Sequence, residues 1–369
     1  MSKQPILQGN RRAGLDGLRG MAALVVVLHH SLLTLPWFAD RVGFGLMGPK
    51  NHFKLSIHNL FEYTPLHMFY GGTEAVVIFF VLSGYVLVNP VSRESISSYV
   101  RYRLLRLYAP IFVSVTLAGG LILLFSRQTL VGGSSWMNAH AIKFTFASYF
   151  KNIWVVDGSD YLDSSLWTMR YEIIFSLAVM VLAKFIFKQS FLIFAVAMIA
   201  ISVIIWVGME CNLDLLGWLP VFFAGSALHW LPEGRYKIPY LRFISGIVVL
   251  FMPWCFVGFG YAVSPIGYRI LMTIGAVIIV DVCRQPSNPV SKLLSGKFPT
   301  AAGKYSYSLY LIHAPVLTTV WFVMGSPLGH EAWFLRFVIA LVCITIGAAA
   351  VYQLAEKPSL KWIHSRKSM

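Results

Sequence analysis

The chain has 369 residues, of which 57% are hydrophobic and only 12% are charged. Soluble domains carry about 25% charged residues, so this composition excludes a disordered chain, a disulfide scaffold and an ordinary cytosolic enzyme, and it predicts a polytopic membrane protein. Thirty Lys and Arg against fifteen Asp and Glu give a net charge of +15, but no basic run is long enough to indicate a nucleic-acid partner.

Apolar segments in chain order predict an all-α bundle of about ten transmembrane helices. The ten segments span about 15–35, 68–89, 107–126, 166–187, 190–208, 215–231, 243–260, 266–283, 305–325 and 333–353. The first one has basic residues in front of it, like a signal peptide, but no small-residue cleavage site follows, and we interpret it as a retained helix. We expect residues 1–369 to form a single transmembrane domain with no appended soluble domain.

The distribution of basic residues predicts the orientation of the chain. If the N-terminus is cytoplasmic, the inner segments carry 20 Lys and Arg and the outer segments carry 7. The positive-inside rule then predicts that both termini are cytoplasmic. Two long outer segments, 36–67 and 127–165, are rich in aromatic, Gly, Ser and Asp residues. Such a face suits a sugar ligand, and it equally fits an ordinary interfacial belt of Trp and Tyr.

The first predicted helix carries several ionisable residues, which are costly in a bilayer and usually functional. Arg19 and His30 are eleven residues apart, so they share one helix face and lie about 16 Å apart along the axis. His29 points about 100° away from His30. The alternative for His30 is a buried histidine that is satisfied by a neighbouring helix.

Two carboxylates and two arginines are further candidates for functional residues. Under the predicted topology, Glu172 and Glu74 lie at a depth similar to that of His30, and either could orient it as a general base. The sequence leaves this choice open. Arg103 and Arg106 share a face at the inner start of the third segment, where they fit phosphate binding, topology signalling or contact with anionic lipid.

Six motifs occur along the chain in a recognisable order. They are LDGLRGMAALVVVLHHS (15–31), FFVLSGYVL (79–87), RYRLLRLYAP (101–110), SLWTMRYEIIFSL (165–177), YSYSLYLIHAPV (305–316) and YQLAEKP (352–358). In this order they resemble the acyltransferase-3 family of integral-membrane O-acyltransferases. Members of that family typically acetylate or succinylate extracytoplasmic glycans. The stretch of about 190–300 offers little motif.

The resemblance implies roles for individual residues. His30 resembles the essential histidine of the family, Arg19 its partner arginine, and Arg103 and Arg106 the pair implicated in holding acyl-coenzyme A. Glu172 matches the acidic position after the LW of the fourth helix. The remaining motif positions are Asp16, Ser83, Trp167, Tyr305, Ser308, Tyr310, His313 and Glu356. Many relatives have an acid where this chain has Val77, and Glu74 lies one turn earlier.

The implied activity is transfer of an acyl group, acetyl by default and succinyl as the alternative, from cytoplasmic acyl-coenzyme A to a hydroxyl of a glycan or lipid-linked saccharide. We expect acyl-coenzyme A as a co-substrate, membrane lipids as neighbours, no tightly bound cofactor and the cytoplasmic membrane of a bacterium as the location. The four cysteines form no C-x-x-C pair, so no metal site is predicted. His30 could act as a base or as an acyl carrier. A small-molecule transporter and a sensor are the rival classes, although the inverted symmetry of many transporters is not evident in the sequence.

Overall fold

The computed structural model describes residues 6–42, 56–93, 95–157, 160–186, 217–231, 236–286, 288–325 and 330–367, and positions 196, 199, 200 and 203. Within these ranges the secondary structure is helical and no strand occurs, which confirms the predicted all-α fold. The chain divides into two compact units. The first unit contains Met1–Val25, Lys50–Tyr99 and Ile174–Lys304, and the second contains Val26–Pro49, Val100–Ile173 and Tyr305–Met369.

The described helices in the N-terminal half are α1 (Ile6–Leu32), α2 (Pro36–Val42), α3 (Ile57–Glu62), α4 (Gly72–Arg93), α5 (Ile96–Leu124), α6 (Ser135–Ala139), α7 (Phe146–Trp154) and α8 (Met169–Ile186), with 3-10 turns at Pro65–Phe69 and Ser164–Thr168. Those in the C-terminal half are α9 (Leu219–Ala227), α10 (Pro239–Gly258), α11 (Pro265–Cys283), α12 (Pro289–Leu294), α13 (Lys297–Met324), α14 (His330–Val351) and α15 (Lys357–Lys367). A π-helical segment, Tyr352–Glu356, joins α14 to α15. Proline starts α10, α11 and α12, where its missing N–H costs no helical hydrogen bond.

Five helical stretches among the described residues are long and apolar enough to cross a membrane. They are α5, α10, α11, α13 and the continuous stretch Ala332–Arg366, and a shorter apolar segment, Gly72–Val88, lies in α4. Each overlaps a segment predicted from the sequence. The predicted segment 190–208 lies outside the described residues except for four positions. The count of ten helices and the orientation of the termini therefore stay predictions.

In the first unit, helices approach each other so closely that backbone touches backbone. A Cβ atom added at Gly84 of α4 would lie 1.8 Å from the carbonyl oxygen of Phe222, and one at Gly225 of α9 would lie 2.0 Å from that of Val81. Small residues permit this approach between membrane helices, because dispersion contacts and not the hydrophobic effect hold such helices together in lipid. No side chain fits between α4 and α9 at this crossing.

In the second unit, α13 is lined on its apolar side by a buried core. Ile312, Leu317 and Trp321 of α13 pack in one cluster with Met137 and Ile344. Between these apolar positions α13 carries His313 and Pro315. The helix thus brings one ionisable ring and one helix-distorting residue into a packed interior.

Candidate functional site

His30 lies in the last turn of α1, and its ring meets His313 of α13. Its Nδ1 atom is 2.9 Å from the carbonyl oxygen of Val26 and 3.3 Å from Nε2 of His313. Because a carbonyl only accepts, Nδ1 of the neutral ring carries the proton and Nε2 keeps the lone pair. Among the described residues, the hydrogen bonds of His30 go to Val26 and His313, and none goes to Glu172 or Glu74.

Trp136 of α6 lies beside the His30 ring, with the two ring centroids 5.6 Å apart. The indole is half-buried. Ser134 holds α6 in place, because its hydroxyl accepts from the Met137 N–H at 3.1 Å and donates to the carbonyl of Leu33 at 2.6 Å. The aromatic ring next to His30 is therefore fixed by a helix cap that is bonded to the end of α1.

His140 packs against the same indole, at a centroid distance of 4.3 Å. Its Nδ1 donates to the carbonyl of Trp136 at 2.7 Å, and its Nε2 lies 2.8 Å from the hydroxyl of Ser164. Burial lowers the pKa of His140 to about 3 and outweighs the opposing effect of its bond to Trp136. The imidazole is consequently neutral, and the hydroxyl of Ser164 donates to it.

Asp163 is fully buried in the loop that precedes α8. Ser165 approaches it with both its backbone N–H, at 3.2 Å, and its hydroxyl, and the hydroxyl of Ser114 lies 3.3 Å away. Burial raises the pKa of Asp163 to about 7, against the opposing effects of these hydrogen bonds and of Arg127. The carboxyl group therefore titrates near neutral pH.

A proline in α13 explains why two serines gather at this point. Pro315 has no N–H, so the carbonyl of Leu311 lacks its helical donor. The hydroxyls of Ser114 and Ser165 each lie 3.0 Å from that carbonyl oxygen. A hydroxyl has a single proton, so when Ser165 donates to Leu311, its contact with Asp163 requires the proton on the carboxyl group. The raised pKa of Asp163 agrees with this arrangement.

The structure pairs two residues to which the sequence assigned separate roles. Arg103 of α5 and Glu172 of α8 form a close ion pair in which both side chains are almost fully buried. Arg106, one turn further along α5, is half-buried. All three act electrostatically on Tyr307, whose hydroxyl donates to the carbonyl of Leu107 at 2.8 Å. Tyr307 was not singled out in the sequence.

Other motif residues of α13 contact the π-helical segment or the 3-10 turn before α8. Ser308 donates to Glu356 at 2.6 Å, and this acid belongs to the π-helical segment, a distortion that often occurs at functional sites. The ring of Tyr305 lies 4.8 Å from that of Tyr352. The hydroxyl of Tyr310 accepts from Thr168 at 2.8 Å. Half-buried Trp167 lies 6.1 Å from the ring of Tyr171.

The remaining predicted residues lie in the first unit. Arg19 donates to the carbonyl of Gly303 at 3.1 Å and lies 3.2 Å from Asp16, and both charged side chains are partly exposed. Ser83 is half-buried in α4.

Glu74 is buried at the start of α4. One of its oxygens accepts from the indole N–H of Trp254 at 2.7 Å and from the hydroxyl of Tyr268 at 2.8 Å. His67 stacks on the same indole at 4.3 Å. This carboxylate is thus bound by the aromatic side chains of α10 and α11.

The sequence missed the loop residues of the site, namely Trp136, His140, Asp163 and Ser165. They lie in the 127–165 segment, which was noted only for its aromatic and polar composition, or directly at its end. A weak signal was present, because Asp163 and Ser165 adjoin the LW motif. Among the described residues, no group of three His, Cys, Asp or Glu side chains is placed to hold a metal ion.

Comparisons with known proteins agree with these motifs. MdmB of Streptomyces mycarofaciens, an acyltransferase, is 25% identical over 390 residues, which cover 97% of this chain and 94% of MdmB. The O-acetyltransferase OatA of Staphylococcus aureus is 23% identical over 94% of this chain, which spans only 57% of the length of OatA. No solved structure matches the chain. The family model described as an acyltransferase domain matches residues 12–353, and the chain therefore belongs to the acyltransferase-3 family.

Proposed function

We propose that the protein is a multi-pass membrane O-acyltransferase that moves an acyl group from acyl-coenzyme A to a hydroxyl of a glycan or lipid-linked saccharide. Acetyl is the first choice for the acyl group and succinyl the second. Family membership and the names of both relatives support acyl transfer. The donor, the acyl group and the acceptor belong to the proposal.

One observation carries the catalytic role. Nδ1 of His30 is hydrogen-bonded to the carbonyl of Val26 and to His313. The lone pair on Nε2 of His30 is therefore the basic site of the ring. In the proposed reaction this nitrogen takes the proton of the acceptor hydroxyl, and the oxygen attacks the thioester carbonyl. The carbon–sulfur bond breaks, and protonated His30 returns the proton to the departing thiolate. The products are an O-acyl ester and coenzyme A.

The arrangement of α13 supports a donor site next to this base. Tyr307 of α13 donates to the carbonyl of Leu107, which follows Arg106 on α5, and His313 contacts His30. Tyr307 and His313 are six residues apart on α13, about 9 Å along the helix axis. We place the phosphates of acyl-coenzyme A at Arg103 and Arg106, with Glu172 fixing the guanidinium of Arg103. A phosphate-binding role for Arg19 stays a prediction.

The proposal includes the predicted topology, with ten spans and both termini in the cytoplasm of a bacterium. In a variant without native cysteines, Val131→Cys should react with a membrane-impermeant thiol reagent from outside, because this side chain is 92% exposed in the 127–165 loop. Lys361→Cys near the C-terminus should react only after the membrane is opened. The reverse pattern contradicts the orientation and leaves the chemistry untouched.

The reaction is tested with the purified full chain in lipid vesicles, acetyl- or succinyl-coenzyme A and a surface-glycan extract. Release of coenzyme A together with a new glycan ester is the expected result, and uptake of a solute without thioester loss would indicate a transporter. His30→Ala should lower transfer about 10²–10⁴-fold, the usual cost of losing a general base. His29→Ala is the matched control, because it removes the same ring from the next position. If His30→Ala transfers normally, His30 is not the base.

The two roles open to His30 are separated by incubating the protein with acetyl-coenzyme A and no acceptor. A general base gives no covalent product, so the mass of the intact protein should not change. An increase equal to one acetyl group at the peptide containing His30 would instead identify the histidine as an acyl carrier.

A further inference from the structure

We propose that His313 is a positioning residue for the reaction. Its Nε2 atom accepts a hydrogen bond from Nδ1–H of His30 and thereby fixes the tautomer of His30. The inference rests on the proposed function, in which His30 is the base. It assigns to a second, neutral imidazole the task that a carboxylate performs beside many catalytic histidines.

The proton positions follow from the hydrogen-bond partners. Nδ1 of His313 lies 2.6 Å from the carbonyl oxygen of Tyr310, which can only accept, so the proton of neutral His313 is on Nδ1. Its Nε2 then carries a lone pair, and this is the atom that lies 3.3 Å from Nδ1 of His30. Because the carbonyl of Val26 already requires a proton on Nδ1 of His30, both contacts favour the same tautomer.

Burial makes this contact effective. The side chain of His313 is 0% exposed, so no bulk water competes for its lone pair. When His30 takes a proton on Nε2, its ring becomes a cation, and the bond to His313 becomes charge-assisted and stronger. The contact is thus worth more in the protonated state than in the resting state, as a contribution to catalysis requires.

The groups that face the pair are largely neutral or aromatic. His29 lies 5.5 Å from the His30 ring, Trp136 lies 5.6 Å from it, and Tyr310 lies 5.5 Å from the His313 ring. Trp136 also contacts His140, a titratable group of the 127–165 loop that interacts electrostatically with His30. Among the described residues no carboxylate ion-pairs with either histidine, so His313 is the side chain that hydrogen-bonds to Nδ1 of His30.

The test uses His313→Met, which removes the acceptor at similar volume, and His313→Gln, whose amide oxygen can replace Nε2. The Met variant should lose about 10–100-fold in kcat, as expected for a lost hydrogen bond to a charged group. The acid limb of its pH profile should move to lower pH, because protonated His30 loses a stabilising acceptor. The Gln variant should recover most of the rate and the wild-type limb.

Two controls separate positioning from simple structural support. Thr318→Val alters another buried α13 side chain, whose hydroxyl donates to Ala314 at 2.9 Å, and it should leave the pH profile unchanged. In a His30→Ala background, His313→Met should have no further effect on the residual rate, because a positioning residue acts only through the base.

The inference is overturned if the acid limb of the His313→Met profile does not move, or if the losses of His30→Ala and His313→Met add in the double variant. If the Met variant fails to fold, the same double-variant comparison is made with Gln, where additive losses again overturn it. If the wild-type chain shows no acyl transfer at all, it is the proposed function that fails.

Discussion

The two units of the molecule bury polar groups in different ways. In the first unit Asp281 is buried and both of its oxygens are bound, one by Arg284 at 2.8 Å and the other by Tyr236 and by Arg242 at 3.1 Å. In this ion cluster each oxygen of the Asp281 carboxylate accepts from named donors. In the second unit a single buried hydroxyl faces more than one acceptor, as Ser165 faces both Asp163 and the carbonyl of Leu311.

The difference indicates where chemistry is possible. Where backbones touch, as at Gly84 and Gly225, the fold leaves no volume for a reacting side chain. Around Pro315 of α13, by contrast, polar side chains meet, and moving one proton there would change which hydrogen bonds form. Orphaned atoms mark the same region, because Nε and Nη1 of buried Arg127 have no hydrogen-bond partner among the described residues. We therefore propose that the second unit holds the reaction site, and we interpret the first unit as a rigid support.

The largest effect is expected from breaking a backbone crossing in the first unit. Gly84→Ala places a methyl group 1.8 Å from a carbonyl oxygen, so α4 and α9 must separate, and we expect no correctly folded protein in detergent. Gly120→Ala in α5 is the matched control, because its Cβ meets nothing within 4 Å. This control should gain about 0.5–1 kcal/mol. A wild-type melting temperature for Gly84→Ala would contradict the rigid-support interpretation.

The next effect concerns the buried ion pair in the second unit. Arg103→Ala leaves Glu172 charged and unpaired, which should cost about 3–5 kcal/mol of stability. Arg106→Ala should melt closer to wild type and raise KM for acyl-coenzyme A roughly tenfold or more, because it loses a charge-assisted bond to phosphate. Thermal melting and initial rates measure the two effects. An unchanged KM in both variants would make the pair a topology signal and nothing more.

A smaller effect tests the proton at Asp163. Its folded pKa of about 7 is raised above the unfolded value near 3.8, so the folded state binds more protons between these limits. Its contribution to stability is therefore complete below about pH 4 and is lost as the pH rises towards 7. Asp163→Asn mimics the protonated acid and should lose less stability than wild type between pH 5 and pH 8.

Asp163→Ala is the control for this experiment, because it also removes the pH-dependent group but leaves the backbone N–H of Ser165 without its acceptor. It should be destabilised at every pH, whereas the Asn variant should not. If the melting temperatures of wild type and Asp163→Asn change in parallel with pH, the carboxyl group does not titrate in this range.

The smallest effect is expected for Glu74→Gln. Glu74→Gln keeps an oxygen that can accept from Trp254 and Tyr268, so transfer should stay within about twofold of wild type. Glu74→Ala leaves both donors without their acceptor and should lower stability by about 1–3 kcal/mol per donor. A collapse of kcat in the Gln variant, with stability intact, would support the predicted role of the Glu74 carboxylate in catalysis.

Much of the helical framework could be predicted from the sequence, because hydropathy and the period of 3.6 residues are local properties. The helix of Arg19 and His30 is continuous, and α5, α10, α11 and α13 overlap predicted segments. The partners could not be predicted. The sequence and the predicted topology indicate a depth for Glu172 but not its lateral neighbour, which is Arg103. The serines at Leu311 depend on a carbonyl that Pro315 frees, in a helix about 150 positions away from Ser165.

The His30–His313 contact joins positions separated by 283 residues, and this has a consequence for biosynthesis. At about 5–20 residues per second, roughly a quarter of a minute to a minute passes between the synthesis of the two rings. During that interval Ser114 and Ser165 have no Leu311 carbonyl to bind. A nascent chain that stops before α13 already contains His30, Arg103 and Glu172, but its His30 ring is held by the carbonyl of Val26 alone. Under the proposed function, we therefore infer that the insertion of α13 is the step that completes the site.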